Sequence, residues 1–562
     1  MKTNGAGLIL RLLERQGIDT VAGIPGGANL PLYDALHGSA IRHVLARHEQ
    51  GAGFIAQGMA RATGRPAVCF GTSGPGATNL LTAIADAKLD SIPLVAITGQ
   101  VPRALIGSDA FQEIDTYGLT IPITKHNWLV RSAAELLEVI PEAFRIAASG
   151  RPGPVVVDVP KDVQTEAIDV TRFPEPGATD PPPALDHAAV RRAAALLRAA
   201  ERPIVLAGAG VIAAGATALL RELAEQVSLP VASTLLGLGA LPAAHRLSLG
   251  MIGMHGAPYV NHLLEECDLV LALGMRFDDR ATGKASEFCP RAKIVHVDVD
   301  ASEIGKIKTP LLGVRADAGE FLSALLPLVE PNARPAWLAR LAALRAAAPL
   351  AMPGADDPLE PYGIVRAAGE LAGDDAIVTT DVGQHQMWVA QAFPFRLPRQ
   401  LLTSGGLGTM GFGLPAAIGA ALADPCRKVL CFTGDGSLLM NLQELATAAE
   451  ERADVKVILL NNAHLGLVRQ QQELFYGRRY QASRFHAEPD FAALARAFGM
   501  RGVALGDASD PRAALAAALA EPGPCLIDVP IARERNVYPM VPPGAANRDM
   551  LIAGDAHADR AA

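Results

Sequence analysis

The chain has 562 residues, half of them hydrophobic and 19% charged, with 54 glycines. Such a length exceeds what one hydrophobic core organises and points to about three or four domains, while the composition excludes a disordered or fibrous chain. A formal net charge of −8 and the lack of any basic tract argue against a nucleic-acid partner.

The N-terminal "MKTNGAGLILRLLERQG" runs straight into an amphipathic helix pattern. One early lysine and an apolar stretch broken by Arg11 make it a poor signal peptide. No uninterrupted apolar run of about 18 residues follows, so no membrane span is expected. The six cysteines, Cys69, Cys267, Cys289, Cys426, Cys431 and Cys525, are scattered without a CxxC pair. That fits a reducing cytoplasm better than a zinc site or a disulfide framework.

Next comes "VLARHEQGAGFIAQGMARATG", residues 44–64, a helix pattern with a face of small residues built for close packing. Glu49 stands at its start, and a carboxylate entering such packing is costly unless paired or protonated. A plain alternative is a surface carboxylate favoured by the helix dipole. "PAVCFGT" and "IPLVAITG" then read as strands around the helical "ATNLLTAIADAKL". The proline-rich "FPEPGATDPPPALDH", residues 173–187, reads as a linker. Beyond it, "RPIVLAGAGV", "DLVLALGM" and "AKIVHVDVD" are strands, followed by a looser proline-rich stretch at 349–363. In the last segment "KVLCFTGDG" and "DVKVILLNN" flank the helical "LQELATAAEER". Apolar strands alternating with helices imply mostly parallel sheets covered on both faces. We therefore expect an α/β chain of three domains, 1–170, 187–330 and 358–535, with a tail over 536–562. A faint echo between "VCFGTSGPGATNLLTAIADAKLDSIPLVAIT" and "LCFTGDGSLLMNLQELATAAEERADVKVILL" suggests that the first and last domains are built alike.

The most specific feature is "GDGSLLMNLQELATAAEERADVKVILLNN", residues 434–462. It places Asp435 at a strand's C-terminal end in a Gly-rich turn, where α/β sheets bind ligands. Gly434 and Gly436 allow close backbone approach, and Ser437 with the following helix N-terminus offers donors to an anion. Asn462 ends the next strand, which brings its oxygen towards Asp435. Hard oxygen ligands of low charge suit Mg²⁺ bound together with a diphosphate.

"GDG" followed by "NN" resembles the thiamine diphosphate (ThDP) binding motif. Nearly the whole chain resembles the catalytic subunits of the acetohydroxyacid synthase (acetolactate synthase) family. The resemblance is carried by "RHEQGAGFIAQGMARATG", "SGPGATNL", "GSDAFQEIDTYG", "ITKHNWLV", "SGRPGPVVVDVPKDVQ", "GMHG", "GMRFDDRATGK", "GQHQMW" and "TSGGLGTMGFGLPAAIGA". It implies decarboxylation of pyruvate and transfer of its two-carbon unit to a second 2-oxo acid, in branched-chain amino acid synthesis. Glu49 would bond N1′ of the cofactor's aminopyrimidine, sheltered by the small-residue wall of its helix. Gly383, Gln384 and His385 would approach the diphosphate, Gly408 and Met410 the aminopyrimidine, with Gly466 and Leu467 beside the cofactor. Asp435, Asn462 and the backbone carbonyl of His464 would hold Mg²⁺. Gly26, Gly27, Phe111, Gln112, Lys161 and Met254 would line the reacting centre, and Arg280 would grip the second substrate's carboxylate unless it merely pairs with Asp278 or Asp279.

The middle domain resembles one that holds FAD in a structural role. Arg151, Gly208, Ala209, Gly210, Thr234, Leu235, Met254 and His255 fall at flavin-contacting positions. So do Gly274, Met275, Arg276, Phe277, Asp278, Asp298, Val299 and Asp317. "LAGAGVIAAG" is by itself an incomplete dinucleotide fingerprint. The resemblance further implies a homodimer or tetramer, and leaves room for a small regulatory subunit. Gln471 stands where most members carry Trp, and Leu467 replaces a frequent Met; a bacterial branch with "QQQ" and "YPMVPPGAAN" is similar. Weak discrimination between pyruvate and 2-oxobutyrate is the expectation from Gln471. The competing reading is a flavin oxidoreductase such as pyruvate oxidase, which shares the three-domain plan.

Overall fold

The computed structural model describes residues 1–554, so the last part of the expected tail lies outside the described residues. Three six-stranded sheets, each wholly parallel, organise the chain. The first is built from β1 (Thr20–Gly23), β2 (Arg42–Leu45), β3 (Ala67–Gly71), β4 (Leu94–Gln100), β5 (His126–Leu129) and β6 (Val155–Pro160). The second holds β7 (Pro203–Ala207), β8 (Val231–Ser233), β9 (Ser248–Met251), β10 (Leu269–Leu273), β11 (Lys293–Asp298) and β12 (Leu312–Arg315). The third holds β13 (Ile377–Thr380), β14 (Leu401–Thr403), β15 (Val429–Gly434), β16 (Val455–Asn461), β17 (Arg501–Ala504) and β18 (Cys525–Pro530). The central strands β3, β4, β6, β7, β10 and β15 are buried along their whole length. That follows from their unbroken apolar sequences, which only a sheet covered on both faces can hide.

The strand orders settle how the units are related. The first sheet runs β2-β1-β3-β4-β6-β5 and the third β14-β13-β15-β16-β18-β17. These are the same order in two different stretches of chain, so the faint sequence echo marks a shared architecture. The second sheet runs β9-β8-β7-β10-β11-β12, the order of dinucleotide-binding sheets. Each order reverses direction beside its first strand, and the crevice at that reversal is where such sheets place ligands.

Helix α1 (Glu49–Thr63) and helix α2 (Pro75–Asp90) follow β2 and β3. His48 caps α1 by accepting from the Gln50 N–H, and Gly64 closes it in the left-handed region, at φ 75°. Helix α3 (Gly413–Ala423) in the third unit is almost wholly buried against α1. Gly58 and Gly419 are spent on this contact, while Gly51 packs on Glu444 and Gly53 on Ala83. A Cβ at Gly58 would lie 2.0 Å from the Ala416 carbonyl oxygen, and one at Gly419 would lie 1.9 Å from that of Ile55. This corrects the expectation that the small-residue face of α1 shelters a heterocycle; it docks the first unit on the third.

The proline-rich stretches are also more structured than linkers. Asp180 in the first pairs with Arg145 at 2.5 Å, and Gly177 lies against the Pro141 carbonyl. The second ends at a helix that begins at Pro361. Helix Pro335–Ala347, between the expected units, docks on the central sheet, where Trp337 Nε1 donates to the Pro203 carbonyl at 2.9 Å. After β18 the chain turns back across the central unit: the Val541 N–H bonds the Met254 carbonyl at 3.0 Å and Lys284 N–H the Ala545 carbonyl at 2.9 Å. Among the described residues no helix is long and apolar enough to cross a membrane.

Candidate active site

At the reversal point of the third sheet, β13 and β15 lie side by side and both end in turns rich in glycine. Gly383 follows β13, and a Cβ there would meet the His385 ring at 2.6 Å. Asp435 follows β15. Its Oδ1 accepts from the Gly436 N–H at 2.7 Å, whereas Oδ2 is buried with no partner among the described residues. Burial pushes its carboxyl up to about 6, opposed by the N–H groups of Gly436, Ala463, His464 and Asn462. The Asn462 turn is thus placed directly beside Asp435. Asn462 Oδ1 accepts from the His464 N–H at 3.1 Å, and its Nδ2 donates to Gln384 Oε1 at 3.3 Å. Gly466 follows, where a Cβ would lie 2.1 Å from Gln384 Oε1. His385 Nε2 is also buried without a protein partner, and burial lowers the imidazole to about 3, so it is neutral. An orphaned carboxylate oxygen beside an amide oxygen fits a hard divalent cation. Ser437 departs from expectation: its hydroxyl donates to the Val382 carbonyl at 2.7 Å and is not free for an anion.

A second cluster lies at the reversal point of the first sheet. Glu49 opens α1, half-buried, and Asn79 Nδ2 of α2 donates to its Oε2 at 2.9 Å. A Cβ on Gly76 would lie 3.4 Å from Glu49 Oε1, so that oxygen faces the turn before α2. Gly26 presses on Thr72 in the same turn, and a Cβ on Gly27 would meet open space. Gln112 joins them: a Cβ at Gly74 would lie 2.9 Å from its carbonyl oxygen. Asp109 (φ 56°) and Gln112 (φ 61°) both sit in the left-handed region, and Phe111 between them is 89% exposed. Strain of this kind persists where surrounding contacts over-determine a loop, as functional loops are. Lys161, half-buried, starts the helix directly after β6.

The third feature is a cavity of about 1000 Å³ where the first, central and third units meet. This is at the top of the range of about 300–1,000 Å³ for small-molecule sites. It gathers the ends of β7, β8, β10, β11 and β12 through Ala209–Gly210, Thr234–Leu235, Gly274–Arg276 with Asp278, Asp298–Val299 and Asp317. Arg151, Met254 and His255 complete that side. Two expected residues lie elsewhere. Gly208 lets the backbone close on Gly274, whose carbonyl oxygen a Cβ would approach to 2.0 Å. Phe277 is in the core, its ring edge-on to Phe288 and His296. Arg151 arrives already shared between Glu303 at 2.6 Å and Asp300 at 3.3 Å. By place and size the cavity fits a dinucleotide such as FAD.

The same cavity extends to Gly408, Leu467, Gln471, Met540 and Arg280. Arg280 has a side chain 67% exposed, with Asp279 at 3.8 Å and Met254 Sδ at 3.6 Å beside it among the described residues. Asp278 gives its carboxylate to the N–H groups of Arg280 and Ala281, so it does not neutralise the guanidinium. None of Gly26, Gly27, Glu49, Phe111, Gln112 or Lys161 lines this cavity.

Sequence reading missed several residues that build the site. Asp381, at the end of β13 as Asp435 is at the end of β15, accepts from the N–H groups of Gly411 at 2.8 Å and Gly413 at 3.2 Å and so anchors the segment after Met410. That shared position at a strand end was its signal. Gln470 clasps Val537 with both amide atoms, at 2.8 and 2.9 Å, and accepts from Gln384 at 3.0 Å, tying the tail to the Asn462 cluster. No local pattern announces such a partner.

Comparison with known proteins identifies the family. Three thiamine pyrophosphate enzyme families match in succession: the N-terminal TPP binding domain over residues 3–119, the central domain over 190–325 and the C-terminal TPP binding domain over 381–529. The acetolactate synthase isozyme 1 large subunit of Escherichia coli (strain K12) is 58% identical over 548 residues, covering 97% of each chain. The acetolactate synthase large subunit of Parasynechococcus marenigrum is 50% identical over 563 residues, 98% of this chain and 91% of its own. The isozyme 2 large subunit of Escherichia coli (strain K12) is 46% identical over 551 residues, 98% of this chain and 99% of its own. The chain therefore belongs to the acetolactate synthase large-subunit family of thiamine pyrophosphate enzymes.

Proposed function

We propose that the chain decarboxylates pyruvate and transfers the two-carbon unit to a second 2-oxo acid. Pyruvate as acceptor gives 2-acetolactate and CO₂; 2-oxobutyrate gives 2-aceto-2-hydroxybutyrate and CO₂. These products lead to valine, leucine and isoleucine. The observation that carries the reading is the buried Asp435 Oδ2, without a partner among the described residues, beside the Asn462 turn at the sheet's reversal point. Mg²⁺ would be held there by Asp435, Asn462 and the His464 carbonyl, with Gly383, Gln384, His385, Gly434 and Gly436 around the diphosphate.

Thiamine diphosphate, when bound, would supply the cationic thiazolium ring that takes up the electron pair released with CO₂. The chain's residues do the rest. Glu49 keeps Oε2 on Asn79 and leaves Oε1 to share a proton with the pyrimidine. Gly408 and Met410 abut that ring. Gly26, Gly27, Phe111, Gln112 and Lys161 line the donor's approach, and Met254 lines the acceptor's. Arg280, with no strong carboxylate partner, grips the acceptor's carboxylate in two-point fashion. Leu467 and Gln471 face the acceptor's alkyl group.

FAD would occupy the central cavity in a structural role, since the net reaction is not a redox change. Glu49 and Asp435 belong to separate clusters of one chain, which supports a homodimer, or a tetramer of two, in which each site draws Glu49 from the other copy. The relatives' "large subunit" names support a small regulatory partner. The free and mostly buried cysteines support a cytoplasmic place. Domain limits of 1–170, 187–330 and 358–535, with the tail from 536, are proposed on the three sheets, one family match falling within each.

A product assay with pyruvate alone and with both acceptors, with and without added FAD, tests this. Acetolactate without oxygen uptake is expected. Oxygen uptake or acetyl phosphate formation matching pyruvate use would overturn it in favour of an oxidase.

A further inference from the structure

Met410 and Gly408 sit on a loop of the third unit, and its shape is imposed by the first. The loop begins after β14 at Thr403. Gly405 and Gly406 have no acceptor within the loop. Asp90, at the end of α2, accepts from both of their N–H groups, at 3.0 and 2.7 Å. Asp86, one turn earlier, takes both hydroxyls that bracket the loop, Ser404 Oγ and, at 3.2 Å, Thr409 Oγ1. The Thr409 N–H in turn donates to Ser404 Oγ at 2.8 Å, closing the loop on itself.

Arg61 of α1 binds the two carboxylates together, with Nη2 at 3.0 Å from Asp86 and 2.8 Å from Asp90. Its Nη1 donates to the Thr403 carbonyl at 2.9 Å, and the guanidinium lies 4.9 Å from the centre of the Phe412 ring. The arginine therefore touches the chain on both sides of the loop. All three charged side chains are almost fully hidden from solvent. Burying two carboxylates and one guanidinium is costly, and an apolar cluster of like volume would serve stability at least as well. What the charges add is direction: acceptors fixed in space for two amides and two hydroxyls.

We propose that Asp86 and Asp90, locked by Arg61, are positioning residues that set the Ser404–Thr409 loop, and through it Gly408 and Met410, against the pyrimidine of the cofactor. The role rests on the ThDP reading above. In this role the three act through the loop and not on the reacting atoms.

The test uses the full-length protein. Wild type is first titrated with ThDP and Mg²⁺ by calorimetry and assayed for acetolactate; failure of either step refutes the underlying reading rather than the positioning role. Asp90→Asn and Asp86→Asn are then compared with the double variant Ser404→Ala/Thr409→Val. The double variant keeps the buried charges and the Asp90 bonds to the two glycine amides, and loses the Asp86 grip on the loop together with the Ser404–Thr409 closure. Displacement of about 1 Å at a reacting centre costs on the order of 100-fold. We expect kcat at saturating ThDP to fall about 10–100-fold in all three variants, with weaker ThDP binding and normal unfolding midpoints in the double variant. A folded double variant with kcat and ThDP affinity within about twofold of wild type would overturn the proposal. So would aspartate variants whose lost activity tracks lost folded protein alone, with unchanged kcat per loaded site.

Discussion

Gly58 of α1 lies beneath the Ala416 carbonyl of α3 so closely that a Cβ would stand 2.0 Å from its oxygen. The reciprocal approach of Gly419 to Ile55 makes the two helices cross at backbone contact, which joins the first unit to the third. Gly→Ala in a free helix gains about 1 kcal/mol, but overpacking a filled contact costs about 1–3 kcal/mol. Neither carbonyl can move without unwinding its helix. Gly58→Ala and Gly419→Ala are therefore expected to lower the thermal unfolding midpoint and the yield of active protein, read by scanning calorimetry alongside activity.

Glu49→Gln removes the shared proton while preserving shape and the contact with Asn79. General acid–base groups contribute about 10²–10⁴-fold. Calorimetry is expected to show ThDP binding retained, while carboligation falls by at least about 100-fold. Full activity in this variant would defeat the role assigned to Glu49.

Gln471 lines the cavity with Leu467, Met540 and Arg280. One extra methylene is discriminated by about 1–3 kcal/mol in an apolar pocket, and an amide offers little apolar contact. With equal pyruvate and 2-oxobutyrate, the wild-type product ratio is expected to lie near unity. Gln471→Trp is expected to move it towards 2-aceto-2-hydroxybutyrate by about tenfold. Chromatographic separation of the two products measures this.

Asp158 of β6 is buried, and burial pushes its carboxyl up to about 7 despite hydrogen bonds from Thr98 at 2.7 Å and Gln100 at 3.0 Å. The folded value lies above the unfolded one, so the stabilising contribution is complete below about pH 4 and is lost as pH rises through about 7. Asp158→Asn loses that dependence. The difference in unfolding midpoint, variant minus wild type, is expected to shift in the variant's favour between pH 5 and pH 8.5. Because Gln100 also bonds the Ile114 carbonyl at 2.8 Å, the Phe111–Gln112 loop should share this sensitivity.

Strand ends and their glycines were legible in the amino-acid sequence because the chemistry is local. "GDG" and "NN" each place a donor at the end of a buried apolar strand, and neighbouring strands bring them together. The resemblance of the first and third units was legible for the same reason, as an order of parts. Partners far apart in the chain were not. The small residues of α1 announce close packing without saying that α3 is the partner. Phe277 lies within a flavin-like motif, yet its left-handed backbone at φ 54° turns the ring into the core. Asp86 and Asp90 read as ordinary polar positions of a helix, because their acceptor role depends on a loop in another unit.

The grip of α2 on that loop also orders events in time. Asp90 precedes Gly405 by 315 residues, and Asp86 precedes Ser404 by 318. On a chain made from its N-terminus, the aspartates are folded into place long before the loop exists. When the loop emerges, its two glycine amides have no acceptors of their own, and only docking of the last unit on the first supplies them. The capacity to hold a cofactor productively is thus the last property the chain acquires. A separately made third unit, however well its sheet forms, would carry the Asp435 pocket without a settled Met410.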